Sequence, residues 1–203
     1  MGVCGAAGTT YKTDPLKADT DGDGLKDGAE ASGSLNNYGQ RPTNPTVADT
    51  DGEGLRDGAE VKGFNLNLDV RKPAGLFHIG IIKTNPCVRD TDGDGLSDYR
   101  EKVGTKVSQR VVLPKGKISY LTLLRSNPLN KDTDNDKLAD KPEVTGSANA
   151  KFNRAKSDPA YYDTDRGGAW DGVEVQEGSN PDNAFSTAQH PLAGMNFRTA
   201  VLG

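Results

Sequence analysis

The stretch "DTDGDGLKDGAE", Asp19 to Glu30, decides the fold. Five carboxylates stand at places 1, 3, 5, 9 and 12 of its twelve residues, with glycine at place 6. Like charges at this density repel one another unless a cation sits among them. The stretch also returns. Five segments align without gaps, at 13–30, 43–60, 84–101, 126–143 and 157–174, and a sixth begins at "SNPDN" and stops. The loops hold 24 of the 29 acids and 6 of the 25 basic residues, so they carry −18 while the rest of the chain carries +14.

The spacing matches the needs of calcium, a hard cation that takes 6–8 oxygens at about 2.3–2.6 Å. A twelve-residue loop wraps it with side chains at places 1, 3, 5, 9 and 12 and a carbonyl at place 7, and glycine at place 6 makes the sharp turn. Repeat 1 supplies Asp19, Asp21, Asp23, the Leu25 carbonyl, Asp27 and Glu30. Repeat 2 supplies Asp49, Asp51, Glu53, Leu55, Asp57 and Glu60, with a glutamate at place 5. Repeat 3 supplies Asp90, Asp92, Asp94, Leu96, Asp98 and Glu101. Repeat 4 keeps Asp132, Asp134, Asp136, Leu138, Asp140 and Glu143, but Lys137 replaces the turn glycine and Pro142 precedes Glu143. Repeat 5 keeps Asp163, Asp165, Ala169, Asp171 and Glu174, while Gly167 takes the place of the fifth-place acid.

Several calcium ions are therefore expected. Repeats 1–3 are expected to be occupied and repeat 5 to be the weakest. A loop of five carboxylates around one ion still carries −3, which leaves room for a second ion shared with a neighbouring segment. Magnesium prefers six tight ligands and keeps its waters, and zinc or copper would call for His or Cys, which the loops lack. An acidic run on a solvated surface explains one such loop, but hardly five in register.

Apolar residues make up only 33 per cent of the 203, against roughly 45–50 per cent in ordinary globular chains. A single large core is not expected, and bound ions must supply part of the folding energy. The expected fold is a mostly irregular, calcium-stabilised repeat array with short helical turns and two β-hairpins. Proline four residues before each loop (Pro15, Pro45, Pro86, Pro128, Pro159) rules out the entering helix of an EF-hand. After each loop about one helical turn fits before glycine stops it. The place-7 leucines are expected to form a small core in each unit. The spacers 64–83 and 105–125 each carry apolar and β-branched residues on both sides of a Pro/Gly turn, and read as hairpins; a helix over 117–125 is the weaker alternative. "SLNNYGQRP" and "SANAKFNRAK" read as polar loops.

At these residues the pattern D-x-D-x-D-G-x-x-D-x-x-E, led by "TNP", resembles the thrombospondin type-3 repeat of bacterial secreted and surface proteins. The resemblance covers about residues 13–183. The hairpin after "GAEVKGF" is similar to the calcium-binding region of protective-antigen-type binary-toxin components, in which a loop, a hairpin and a following "SDP" segment share a pair of calcium ions. The family implies an extracellular, non-enzymatic calcium-set array that spaces larger domains. The expected organisation is an N-terminal leader or linker over 1–12, five repeats (13–42, 43–83, 84–125, 126–156, 157–178) with a partial sixth to 183, and a tail over 184–203. The alternative is a partner-binding module of an adhesin or a binary-toxin-like component, which an exposed apolar face on 106–125 would favour.

No apolar run approaches the length of a membrane span, and "MGVCGAAG" has neither half of a signal peptide. The chain is read as a monomeric piece of a longer secreted or surface protein. Its partners are calcium, neighbouring domains of the parent and a protein or cell-surface partner. Nucleic acid is not expected, because the basic residues are dispersed and acidic loops interrupt them. Cys4 and Cys87 either pair or stay as two thiols. His78 alternates with Phe77 and Ile79 on a strand, and His190 stands alone; neither has a nucleophile pattern. Trp170, Tyr161 and Tyr162 read as a cap on the last loop, or else as a binding patch.

Overall fold

The computed structural model describes residues 4–6 and 8–187. Nine elements follow in chain order, with two short 3₁₀ turns between them. They are α1 (Asp27–Ser32), α2 (Asp57–Lys62), β1 (Phe64–Lys72), β2 (Gly75–Ile82), α3 (Asp98–Val103), β3 (Thr105–Val112), β4 (Ile118–Leu124), α4 (Asp140–Thr145) and α5 (Asp171–Glu177).

Every helix starts on the place-9 aspartate of its repeat and carries acids at places 9 and 12 in its first turn. Negative charge there meets the positive end of the helix dipole. Termination is equally local. Gly33, Gly146 and Gly178 take left-handed φ of 66°, 66° and 80°, which closes α1, α4 and α5. Pro142 is tolerated because it falls in the first turn of α4, where its missing N–H is not required.

The chain forms two compact units. The first gathers residues up to Asn67, Ile79–Lys102 and Asn127–Leu129, and so holds the acidic loops of repeats 1–3. The second gathers Leu68–His78, Val103–Ser126 and the chain from Asn130, with the loops of repeats 4 and 5. The place-7 leucines Leu25, Leu55, Leu96 and Leu138 are buried as their periodicity predicts. Further core residues come from the hairpins: Phe64, Leu66, Leu68 and Val70 alternate on the buried face of β1, and Val111, Val112 and Leu124 lie under the second hairpin.

Both expected hairpins form, β1 with β2 and β3 with β4. The second is antiparallel, with Arg110 opposite Tyr120 and Val112 opposite Ile118, and shifts register between Lys106 and Gln109. Residues 118–124 are strand, not helix. Within the second unit the hairpin ends join the leads of later repeats. The Arg71 N–H donates to the Ala160 carbonyl at 2.8 Å, and the Tyr162 N–H donates to the Arg71 carbonyl at 3.1 Å. In the same way the Val112 N–H donates to Asp182 O at 2.7 Å and the Ala184 N–H to Val112 O at 2.9 Å. The partial sixth repeat is therefore ordered by the second hairpin. The spacer 147–156 is not wholly polar loop: Ala150–Phe152 forms a 3₁₀ turn that buries Phe152, its one large apolar side chain.

Cys4 and Cys87 are joined in a disulfide with Cα atoms 5.1 Å apart. His78, in β2, is exposed and pairs through Nδ1 with the Asp69 carboxylate at 2.7 Å. His190 and most of the tail, from residue 188 onward, lie outside the described residues.

The disulfide joins residues 83 positions apart and encloses the first two acidic loops. Closing a loop of that length removes about 4–5 kcal/mol of unfolded-chain entropy. The double variant Cys4→Ser/Cys87→Ser is expected to melt at a clearly lower temperature at fixed calcium. Reductant should produce the same drop in the parent protein and none in the variant.

Candidate metal centres

The acidic loops are built from carboxylates that each give one duty to the backbone. At place 1, Asp19 accepts from the Gly22 N–H at 2.7 Å and the Gly24 N–H at 2.9 Å, which winds the loop around it. Asp49 and Asp90 repeat this on their own loops, while Asp132 and Asp163 accept from the place-5 and place-6 N–H groups. At place 5 one oxygen accepts from the place-7 N–H: Asp23 from Leu25 at 2.6 Å, Glu53 from Leu55 at 2.7 Å, Asp94 from Leu96 at 2.6 Å and Asp136 from Leu138 at 2.6 Å. The second place-5 oxygen reaches the next repeat and caps its helix. Asp23 accepts from Gly58 at 2.6 Å, Glu53 from Tyr99 at 2.5 Å and Asp136 from Gly172 at 2.7 Å.

The place-9 aspartates are held differently from a simple wrap around their own loop. Asp57 accepts from both the N–H and the hydroxyl of Thr50, at 2.8 and 2.6 Å. Asp27 with Thr20, Asp98 with Thr91 and Asp140 with Thr133 form the same two-point clasp. Asp171 accepts from the Thr164 N–H at 2.9 Å. The threonine at place 2 was legible in the repeated "DTD" but is no metal ligand type of note, and sequence reasoning passed over it. The serine or threonine that opens each following lead was missed as well. Thr43, Thr84 and Ser157 donate to Glu30, Glu60 and Glu143 at 3.2, 3.0 and 2.9 Å, and so position the place-12 glutamates.

After these duties one set of oxygens is left over, and it repeats. Asp21, Asp51, Asp92, Asp134 and Asp165 at place 3 each have a buried Oδ2 that accepts no hydrogen bond. The Oε2 atoms of Glu30, Glu60, Glu143 and Glu174 at place 12 are in the same condition. None of these nine residues forms an ion pair with a lysine or arginine among the described residues. A buried carboxylate with no partner costs several kcal/mol, so the arrangement calls for a cation from outside the chain.

The carboxylates converge in two kinds of cluster. Places 1, 3 and 5 of one loop come together as Asp19–Asp21–Asp23, Asp90–Asp92–Asp94 and Asp132–Asp134–Asp136. Place 5 and place 12 also meet the place-9 aspartate of the following repeat, as Asp23–Glu30–Asp57 and Asp136–Glu143–Asp171. In each cluster one oxygen per residue lies within 4.8 Å of the others. Oxygens on opposite sides of a calcium ion are about 5 Å apart, so the donor sets fit that ion in size and in chemistry. In repeat 2, burial first and then the charges of Glu53 and Asp49 push the Asp51 pKa upward. The Leu25, Leu55, Leu96 and Leu138 side chains fill the small cores, while Ala169 at the same place in repeat 5 is half-buried. With Gly167 at place 5, Asp163 and Asp165 stand without a third carboxylate from their own loop.

Burial dominates the electrostatics. It raises Glu30 from an ordinary 4.5 to about 8 and Glu60 to about 10, with neighbouring aspartates adding to both. Glu174 is pushed to about 10 and Asp51 to about 7 for the same reasons. Asp134 and Glu143 are also raised, first by burial and then by the acids around them.

The sequence model of the bacterial TSP3 repeat matches residues 19–32, 90–103 and 168–184. No curated protein and no solved structure matches the chain.

Two outcomes follow for the metal-free protein. The unfolded glutamates ionise near 4.5, but the folded ones keep their protons up to about 8–10. Between these values the folded state binds more protons, so stability falls as pH rises. Thermal melts without metal should therefore give a lower midpoint at pH 8 than at pH 5, and millimolar calcium should abolish or reverse that trend. Thr50→Val removes both hydrogen-bonding functions of the hydroxyl beside buried Asp57 and should cost about 1–3 kcal/mol in denaturant melts.

Proposed function

We propose that calcium ions fold and stiffen this chain as a spacer or stalk segment of a larger secreted or surface protein, a reading supported by its three matches to the bacterial TSP3 repeat. The observation that carries this reading is the recurrent buried, unpartnered oxygen at places 3 and 12. An ion that binds only the folded state stabilises it by RT ln(1 + [L]/Kd), about 2.7 kcal/mol at a hundredfold excess over Kd. Several sites together match or exceed the roughly 5–15 kcal/mol of an ordinary domain. The low apolar content is then no obstacle to a defined fold at the calcium level outside cells.

The geometry favours two ions per loop where both clusters form. One lies among places 1, 3 and 5. The other lies among place 5, place 12 and the next repeat's place 9. Asp23 and Asp136 belong to both kinds of centre, so neighbouring ions share a ligand and consecutive repeats are tied through it. The chain's own acids do the binding and its threonines do the orienting, and in this reading the module is structural rather than enzymatic. No helix among the described residues is long and apolar enough to cross a membrane.

A second reading, a partner-binding module of an adhesin or binary-toxin-like component, draws on the second hairpin. Ile118, Tyr120 and Leu123 of β4 are exposed at 43, 62 and 45 per cent. In the same reading, the end of β1 pairs with the chain just after Ser157-Asp158-Pro159, the lead whose toxin counterpart shares ions with a hairpin.

Calcium titration by calorimetry with a metal count on the purified protein tests the first reading. More than five ions per chain are expected. Asp23→Asn should weaken two ions and Asp19→Asn only one. Identical circular dichroism and proteolysis with calcium and with chelator would sink the proposal.

A further inference from the structure

Repeats 4 and 5 break the repeat pattern at several places, and the side chains put there meet. Lys137 occupies place 6, where Gly24, Gly54 and Gly95 stand in repeats 1–3, and takes φ 82°. Arg166 occupies place 4, where Gly22, Gly52 and Gly93 stand, and takes φ 61°. Left-handed backbone disfavours both side chains. Trp170 replaces Lys26, Arg56, Ser97 and Ala139 at place 8, and Tyr161-Tyr162 replace pairs such as Lys17-Ala18 just before the loop.

The three rings form a row in the second unit. Tyr161 and Tyr162 lie parallel with centroids 6.0 Å apart, and Trp170 meets Tyr162 edge-on at 6.2 Å. Cations line the row. The Lys137 ammonium stands 5.7 Å over Trp170, and the Arg166 and Arg71 guanidinium groups stand 5.5 and 5.2 Å over Tyr161. The rings are only half-buried and the three cations are exposed. Lys137, Arg71 and Arg166 make no ion pair among the described residues. An open cavity of about 300 Å³ lies beside Trp170, bounded by Lys137, Gly168, Ala169 and Val173.

The rings are half-buried rather than closed over, and Lys137 and Arg166 hold exposed cations beside them at two strained positions. Strained backbone collects where function compensates it. We propose that this row binds an acidic polysaccharide. A glycan chain runs along the exposed edges of the half-buried rings, and its carboxylate or sulfate groups pair with Lys137, Arg166 and Arg71, the guanidinium forks offering two parallel donors. Charge decides the class. A nucleic acid is charged at every residue and would meet the acidic loops that begin at Asp132 and Asp163, whereas a glycan charged on some of its rings matches three cations spread along a row. The proposal presupposes a calcium-set fold, so binding is measured at saturating calcium while melting with and without calcium reports on that fold separately.

Trp170 is the sole tryptophan, so its fluorescence is a built-in probe. Titration of the whole protein with oligosaccharides of hyaluronate, carboxylated on alternate rings, and of kappa-carrageenan, sulfated on alternate rings and without carboxylates, should shift Trp170 emission; neutral dextran should not. The two acidic glycans separate carboxylate from sulfate recognition. Lys137→Gly and Arg166→Gly restore the residue that repeats 1–3 use, so the melting temperature should hold or rise. Calorimetric affinity should nevertheless fall at least fivefold in each and about twentyfold in the double variant. No response to either acidic glycan, unchanged affinity in the double variant, or tighter binding of single-stranded polynucleotide would overturn the proposal. So would loss of binding accompanied by a lower melting temperature, because the two cations would then be structural.

Discussion

Carboxylates buried together without a cation of their own chain are the constraint on which this fold depends. Asp134, Asp136, Glu143, Asp165 and Asp171 are all fully buried. Ordinary domains fold by burying apolar surface and keep acids at the rim. Here the order is inverted: each unit has a small apolar interior built from the place-7 leucines and a few hairpin residues such as Leu66, Val70, Val111 and Leu124, and acids are among its most deeply buried polar groups. Such an interior is stable only when positive charge enters it, and the oxygens left unbonded at places 3 and 12 mark where it enters.

The division of labour within each carboxylate explains how a loop with so little core holds its shape. One oxygen of the place-5 acid bonds its own loop, and the other bonds the N–H groups that open the next helix. The place-9 aspartate clasps threonine and starts that helix. The side chains that cluster as candidate metal ligands are thus the ones that set the chain geometry, and Asp23 and Asp136 belong to two clusters each.

Repeats 4 and 5 show what happens when the pattern is relaxed. Lys137 keeps the positive φ that glycine would have adopted freely, so the loop closes and the place 1–3–5 cluster survives. Gly167 removes a carboxylate from repeat 5, yet Asp136 and Glu143 still draw Asp171 into a cluster from the preceding repeat. The loss of one acid therefore weakens the loop that lost it without breaking the link behind it. The aromatic row sits on these relaxed repeats, where the metal pattern places fewer demands on side-chain identity.

The sequence alone determined the repeat register, the twelve-residue loops, the absence of entering helices, the glycine stops and both hairpins. Each of these follows from chemistry within about twenty residues: proline before the loop, charge spacing inside it, and apolar alternation after it. The tertiary structure decided which acids cluster, because Asp57 joins Asp23 and Glu30 across a gap in sequence that only folding closes. It also decided the pairing of Cys4 with Cys87 and the docking of β1 and β3 on the leads of later repeats. Those contacts depend on distances between segments many residues apart, and local propensity carries no measure of such distances.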